Sequence, residues 1–192
     1  MNSETSHFAL VIHGGAGVIE RDQLSAAEEQ AIRADLEAAL EAGNVVLAAG
    51  GSALDAAQAA VVALEESPRF NAGKGSVYNA EGRHELDASV MEGHTRRAGA
   101  VAGVETIRNP VKLARAVMEH SPHVMMISAG AERFADTQPQ IERVANDWFD
   151  TVTRRAQLEL EQARERMAAT DADSLRGKYF GPVSAVAPDA HG

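Results

Sequence analysis

Cysteine is absent from the 192-residue sequence, which excludes a disulfide framework and any thiolate metal cluster. Aromatic residues are scarce, at 4%, so alanine and valine supply most apolar side chains and the helices and sheets must pack closely across them. Positive charge is in the minority: 18 Lys and Arg stand against 28 Asp and Glu, a formal charge of −10. Neutralising phosphates takes clustered Lys and Arg, so neither nucleic acid nor an anionic membrane is an expected partner. No apolar run approaches the ~18 residues of a membrane span. Residues 1–7 are polar, and the apolar stretch behind them, residues 8–12, is too short for a secretory leader. The expected compartment is the cytoplasm. A chain of this length is expected to form one domain with a substantial core.

What is present alternates between strand and helix signals. Residues 8–12 read as a short buried strand stopped by His13-Gly14-Gly15-Ala16-Gly17. Ser25 and Glu28 have the spacing of a capping box, and Ile32, Leu36, Ala39 and Leu40 follow at helical period. Gly50-Gly51 ends that helix; Ser52 and Asp55 open a second through Leu54, Ala57, Val61 and Leu64. Residues 67–75, with Pro68, Gly73 and Gly75, form a loop. Residues 85–91 alternate as a half-buried strand and 99–104 form a strand of small residues. Asn109-Pro110 opens a helix through Val111, Ala114, Val117 and Met118, and 123–127 read as a buried strand. Residues 151–170 predict an exposed helix in which Arg154, Arg155, Glu159, Glu161, Arg164, Glu165 and Arg166 leave a thin apolar stripe. Residues 171–179 are too poor in apolar side chains to fold alone and are expected to be mobile. A strand-like run at 183–187 is broken by Pro188. The class is α/β or layered α+β.

Taken one at a time, the motifs are ambiguous. Glycines after a strand let backbone N–H groups approach an anion or oxyanion, or simply make a tight turn. No G-x-G-x-x-G register fits, and Lys74 is followed by Gly75 rather than Ser or Thr, so neither dinucleotide nor P-loop chemistry is indicated. An esterase-type oxyanion loop would need a G-x-S-x-G elbow, which is missing, and no serine has a recognisable nucleophile context. The loop from Leu64 to Gly75 has the Gly and Pro content to turn carbonyls inward around a hard cation, or to serve as a plain connector. Asn71 within it suits a local turn-forming hydrogen bond. His13, His84, His94, His120 and His123 lack zinc-ligand spacing and read as packed or surface residues. Asp87 is expected to be a buried carboxylate acting as a hydrogen-bond anchor, with a catalytic role as the alternative.

Read in order, the pieces resemble one family. The strand ending in His13-Gly14-Gly15-Ala16-Gly17 is followed by Ser52-Ala53-Leu54-Asp55-Ala56, Phe70-Asn71-Ala72-Gly73-x-Gly75, Glu85-Leu86-Asp87-Ala88 with Val90-Met91-x-Gly93, Ala98-Gly99-Ala100-Val101-Ala102-Gly103-Val104 and Ser121-Pro122-His123-Val124-Met125. This series is similar to the α-subunit of plant-type L-asparaginases, also called isoaspartyl aminopeptidases. The resemblance implies an α+β fold: a four-layer αββα sandwich of the N-terminal-nucleophile hydrolase type, of which this chain is the α-subunit part. On that basis residues 1–170 are expected to be the α-subunit half, with 171–192 a mobile linker and the region around an autoproteolytic site.

The implied activity is hydrolysis of the side-chain amide of Asn or of β-aspartyl dipeptides. The attacking hydroxyl is that of a threonine at the start of the β-subunit, whose own α-amine serves as base; an α-amine titrating near ~7.7–8.0 suits that role. Gly14, Gly15 and Asn71 would support the nucleophile, and no catalytic group is expected in this chain. The implied sodium loop uses backbone oxygens of Leu64, Glu65, Ser67, Phe70, Ala72 and Lys74. Lys74 departs from the apolar residue of the family, a change the loop tolerates if the ammonium points to water. No organic cofactor is implied. The implied partners are a β-subunit of the same precursor and a second αβ unit.

The family pattern around the cut is Gly-Thr-Val-Gly-Ala-Val-Ala-Leu-Asp, whereas this chain reads Gly181-Pro182-Val183-Ser184-Ala185-Val186-Ala187-Pro188-Asp189. That register places Pro182 at the nucleophile position, and proline has neither hydroxyl nor, inside a chain, a free amine. It implies a catalytically inactive, truncated relative kept for assembly or binding. In a second register Gly192 is the processed end and the threonine follows it. A glycosylasparaginase-like amidase is a further alternative, disfavoured by the lack of cysteine and leader.

Overall fold

The computed structural model describes residues 8–15, 24–168 and 183–187. Its first helix, α1 (Ala26–Ala48), begins where the capping box predicts: the Ser25 hydroxyl accepts from Glu28 N at 3.2 Å and the Glu28 carboxylate accepts from Ser25 N at 3.1 Å. Helix α2 (Ala53–Glu66) is capped by Ser52, which accepts from Asp55 N at 3.1 Å. The two pack face to face, and Gly43 is what lets them approach: a β-carbon there would stand 2.9 Å from the Ala56 carbonyl. Alanines at 39, 56 and 60, all fully buried, line the same seam.

Among the described residues the strands form two sheets. The smaller pairs β1 (Val11–His13) with the strand near the other end of the sequence, β5 (Ser184–Val186), antiparallel and in the register Val11↔Val186, Ile12↔Ala185, His13↔Ser184. The larger has the order β2-β3-β4, with β2 (Leu86–Met91) antiparallel to β3 (Ala98–Val104) and β3 parallel to β4 (Met125–Ile127). A parallel pair needs a crossover, and α3 (Pro110–His120) supplies it. Close packing of α3 on β3 depends on Gly99, where any side chain would overlap the Ala114 carbonyl. The main core lies here: Val101, Val104, Ile107, Leu113, Ala114, Val117, Ala131 and Phe149 are almost fully buried. A second, smaller cluster of Ala39, Leu64 and Phe70, joined by Ile12, Leu36 and Val183, ties β1, α1, α2 and β5 together.

Several expectations are corrected. Helix α4 (Ser128–Ala135) follows β4 directly; its eight residues begin Ser-Ala-Gly and carry too little periodicity to be read. The strand expected at 123–127 starts at Met125 and is not buried: Val124, Met125 and Ile127 are 63%, 53% and 59% exposed. Asp87 is exposed on β2, yet it does anchor, accepting from Gly103 N at 2.8 Å. The helix expected at 151–170 is α5 (Val152–Ala168), exposed along most of its length, but Arg154 is buried because that first turn lies beneath the Gly75 loop. The expectations for 171–179, Pro182 and Gly192 lie outside the described residues, as do Ala16 and Gly17. No helix among the described residues is long and apolar enough to cross a membrane.

Candidate functional site

Strand β1 runs out at Gly14 and Gly15, and Gly15 has φ +113°, a conformation that favours glycine. Gly14 needs its missing side chain for a second reason. A β-carbon there would stand 3.0 Å from Phe70 Cε1 and 3.1 Å from Leu36 Cδ2, so the turn lies flat against the Phe70 ring. Val183, just ahead of β5, joins the Phe70 cluster from the neighbouring strand. The glycine turn, the Phe70-Asn71 segment and the leading end of β5 are therefore brought to one place. Asn71 stabilises its own loop: its side-chain oxygen accepts from Val77 N at 2.9 Å.

The loop continues from the end of α2. Leu64 O accepts from Ser67 N at 3.2 Å and Ala72 O from Gly75 N at 3.0 Å, each carbonyl keeping a second lone pair. A β-carbon on Gly73 (φ +45°) would overlap the Glu65 carbonyl oxygen, and one on Gly75 would overlap that of Phe70 and stand 2.9 Å from that of Pro68, so neither position admits a side chain. The Glu65, Pro68 and Phe70 carbonyl oxygens thus lie close to the Gly73–Gly75 3-10 turn, and neutral oxygens of this kind are the donors a hard cation takes. The Ser67 hydroxyl and Arg69 both bond Asp35, at 2.5 and 2.7 Å, fastening the loop to α1.

Two carboxylates at the root of the loop behave differently. Glu65 is 3% exposed; its Oε1 accepts from Val111 N at 3.0 Å at the start of α3, while Oε2 has no hydrogen-bond partner among the described residues. Burial pushes its pKa up to about 8. Glu66 is only partly buried, and although burial opposes it, the Arg108 fork (2.9 and 2.9 Å) and Asn109 (3.0 Å) hold its carboxyl below the ordinary range. Lys74 does not meet the condition set for it, an ammonium that points to water. Its ammonium donates to the Trp148 carbonyl and sits 4.7 Å from the Trp148 ring centroid.

A constellation that the sequence reading missed lies on the far side of the loop. The Ser76 hydroxyl is 2.9 Å from His84 Nδ1, and His84 Nε2 is 3.1 Å from Asp150 Oδ1. The order hydroxyl, imidazole, carboxylate is that of an activated nucleophile. Burial decides against it: Ser76 is 4% exposed and His84 0%, with the Tyr78 ring 4.1 Å from the imidazole. No substrate reaches that hydroxyl, so the trio is a clamp. Burial also holds the His84 imidazole below its ordinary pKa, against the opposing pull of Asp150. No sequence signal marks it, since Asp150 lies 66 residues from His84.

Among the described residues no group of three His, Cys, Asp or Glu is placed to hold a metal ion. Two open grooves run along α1, lined by residues such as Phe8, Leu10 and Leu40 or Glu29 and Arg33. Neither includes Gly14, Asn71 or the loop carbonyls.

A family model described as asparaginase matches residues 6–192. Among curated proteins, the isoaspartyl peptidases of Salmonella typhimurium and Escherichia coli are each 48% identical to this chain, covering 95% of it and 59% and 57% of their own lengths. The isoaspartyl peptidase/L-asparaginase of Homo sapiens is 41% identical over 95% of the chain and 56% of its own length. The chain spans a little over half the length of the curated relatives it matches.

Proposed function

Because the chain belongs to the asparaginase family, we propose that it supplies the α-region of a cytoplasmic hydrolase acting on the side-chain amide of Asn or on β-aspartyl dipeptides. The fold in this reading is one part of a four-layer αββα sandwich, completed by a β-region and then paired with a second αβ unit. The observation that carries the reading is an uncovered sheet beside the Gly14 turn. Val11 and Val186 face each other across the β1–β5 ladder, and each is 68% exposed. Apolar strands left open to water call for a further layer. The exposed Met125 and Ile127 of β4 make the same demand on the larger sheet.

The chemistry needs a hydroxyl that these residues do not offer, since the hydroxyl–imidazole pair among the described residues is buried. A threonine at the start of the β-region fits: its α-amine takes the hydroxyl proton, the oxygen attacks the amide carbon, and the C–N bond breaks. The proton leaves with ammonia or the departing amine, and water then hydrolyses the ester and restores the hydroxyl. Gly14, Gly15 and Asn71 position that threonine. When bound, a sodium ion would rigidify the loop through the carbonyls of Leu64, Glu65, Ser67, Phe70, Ala72 and Lys74.

The position of Val183 in the Phe70 cluster favours a second reading. Together with the sequence register that aligns Pro182 with the family's threonine, it supports Pro182 as the nucleophile-equivalent position and hence an inactive relative kept for assembly. One experiment separates the two. The chain is co-expressed with the C-terminal portion of the Escherichia coli relative, and release of Leu from β-Asp-Leu and of ammonia from Asn is measured. Turnover by the pair, absent from the chain alone, is the expected result. An inert pair that gains turnover and cuts itself before position 182 in a Pro182→Thr version of the fused chain establishes the inactive relative instead. Inertness of both would remove the catalytic reading.

A further inference from the structure

The thin apolar stripe of α5 has no part in the chemistry proposed above. One face of its first two turns lies against the rest of the chain. The Arg154 guanidinium, 8% exposed, donates from Nε to the Gly75 carbonyl at 2.6 Å, and Leu158 Cδ2 stands 3.9 Å from where a β-carbon on Gly82 would be. At about 100° per residue, the opposite face carries Val152, Ala156, Leu160, Ala163 and Met167. These follow one another at steps of three or four residues, the spacing of a seam that a second helix packs against. The face is open to water: Val152, Leu160 and Met167 are 89%, 51% and 72% exposed.

Charges border the stripe, and their order suits a copy of the same helix. Glu159 and Arg166 lie along one border and Arg164 along the other, and all three are exposed. In a parallel helix pair, a border residue faces the residue five positions further on along its neighbour's opposite border, which sets Glu159 against Arg164. In an antiparallel pair like borders meet, and Glu159 faces Arg166. Either orientation joins opposite charges, twice over through the two-fold symmetry of such a contact. Arg164 already bonds Glu161 within the helix through Nη1 at 2.6 Å, and its guanidinium has further donors. A lipid surface is a poorer fit, because Glu159, Glu161 and Glu165 share the helix in a chain of charge −10.

We propose that the outer face of α5 is an interaction surface for α5 of a second copy of this chain, packed along Ala156, Leu160 and Ala163 and set in register by Glu159. The inference names a contact for the pairing of units proposed above and rests on no part of the catalytic reading. A seam of about two heptads is short for a helix pair on its own. In the chain alone the contact is therefore weak and exchanges quickly, and it gains strength where other contacts already hold the units together.

Because the 192-residue chain has no cysteine, an introduced thiol is unique and can report its neighbour. Leu160→Cys puts one on the seam, and Glu165→Cys puts one on the far side of the same helix. Under mild oxidation, disulfide-linked dimers of Leu160→Cys are expected to form about tenfold faster than those of Glu165→Cys. Adding Glu159→Arg should slow the reaction at 160, and a further Arg164→Glu or Arg166→Glu should restore it, the restoring change giving the orientation. Equal rates at 160 and 165 overturn the proposal, as does indifference to Glu159→Arg. The oxidation is repeated with the co-expressed C-terminal portion of the Escherichia coli relative, and with phosphatidylcholine–phosphatidylserine vesicles. Loss of the 160 dimer beside the co-expressed portion assigns the face to the β-region, and its loss with the chain bound to vesicles assigns it to lipid; both overturn the proposal. A dimer in sedimentation that survives Leu160→Glu, with no link at 160, refutes this contact and leaves the pairing of units standing. An inert enzyme with the 160 dimer intact would refute only the catalytic reading.

Discussion

Ser128 Oγ lies 2.9 Å from the point where a β-carbon on Gly103 would stand, and both residues have positive φ, +43° for Ser128 and +61° for Gly103. Gly103 tolerates this; Ser128 carries a side chain in a backbone region that costs about 1–2 kcal/mol for an L-residue. The Ser128→Gly variant is therefore expected to be more stable by about 1 kcal/mol, raising the melting midpoint by about 2–4 °C. The reverse change on the partner, Gly103→Ala, is expected to lower it. Differential scanning calorimetry reads both, and a destabilised Ser128→Gly would show that the turn is not strained.

Glu65 makes stability fall as pH rises. Its folded pKa is raised to about 8 from 4.5, so its contribution is fully present below about 4.5 and is lost as pH climbs through 8. Glu65→Gln keeps the acceptor for Val111 N and cannot ionise. Relative to wild type it should gain between pH 5 and pH 8.5, on the order of a few kcal/mol, measured as urea midpoints. A gap that is flat with pH would contradict a buried neutral carboxyl.

His84 works in the opposite direction. Its folded pKa is depressed below 6.5 by burial, so the unfolded chain takes up a proton that the folded chain refuses. The stability conferred by the neutral ring is complete above about 6.5 and declines as pH falls toward the folded pKa. Asp150, whose carboxyl is held below 3.8 although burial opposes it, adds a separate loss at lower pH. His84→Gln starts less stable because it breaks the clamp, but its midpoint should change little between pH 7.5 and 5.5 while that of wild type drops. Denaturant titrations at the two pH values give the comparison.

Asn71 links loop order to the proposed chemistry. Asn71→Ala removes the acceptor for Val77 N, at a cost of about 1 kcal/mol. In the complemented enzyme, β-Asp-Leu hydrolysis should fall by about tenfold or more. Asn71→Asp keeps the acceptor oxygen and should recover the stability but not the rate. Full activity of Asn71→Ala would remove the residue from the site.

Local signals account for what could be read in advance. The Ser25–Glu28 and Ser52–Asp55 spacings mark both helix starts because a capping hydroxyl acts over three residues. The small-residue pattern at 99–104 identifies β3, and Gly99 is small because it must admit α3. The glycine turn and Asn71 are legible for the same reason: each is a local conformational demand. What escaped depends on distance along the chain. Arg154 looks like another exposed charge on a polar helix until the Gly75 carbonyl is placed over it. Lys74 finds Trp148 rather than water through a contact spanning 74 residues. Ser76, His84 and Asp150 carry no spacing rule at all, and only burial shows that their contact is a clamp and not a reactive pair.

The ladder between β1 and β5 joins strands about 170 residues apart, through three residues on each side. Closing so long a loop for so few hydrogen bonds is unfavourable until the intervening helices have shortened the path. Assembly order follows: the α1–α2 pair and the β2–β3 hairpin can arise early from neighbouring residues, while the two remote strands meet last. The corner holding the Gly14 turn is thus completed at the final stage of folding, and a partially assembled molecule has no such corner to misuse.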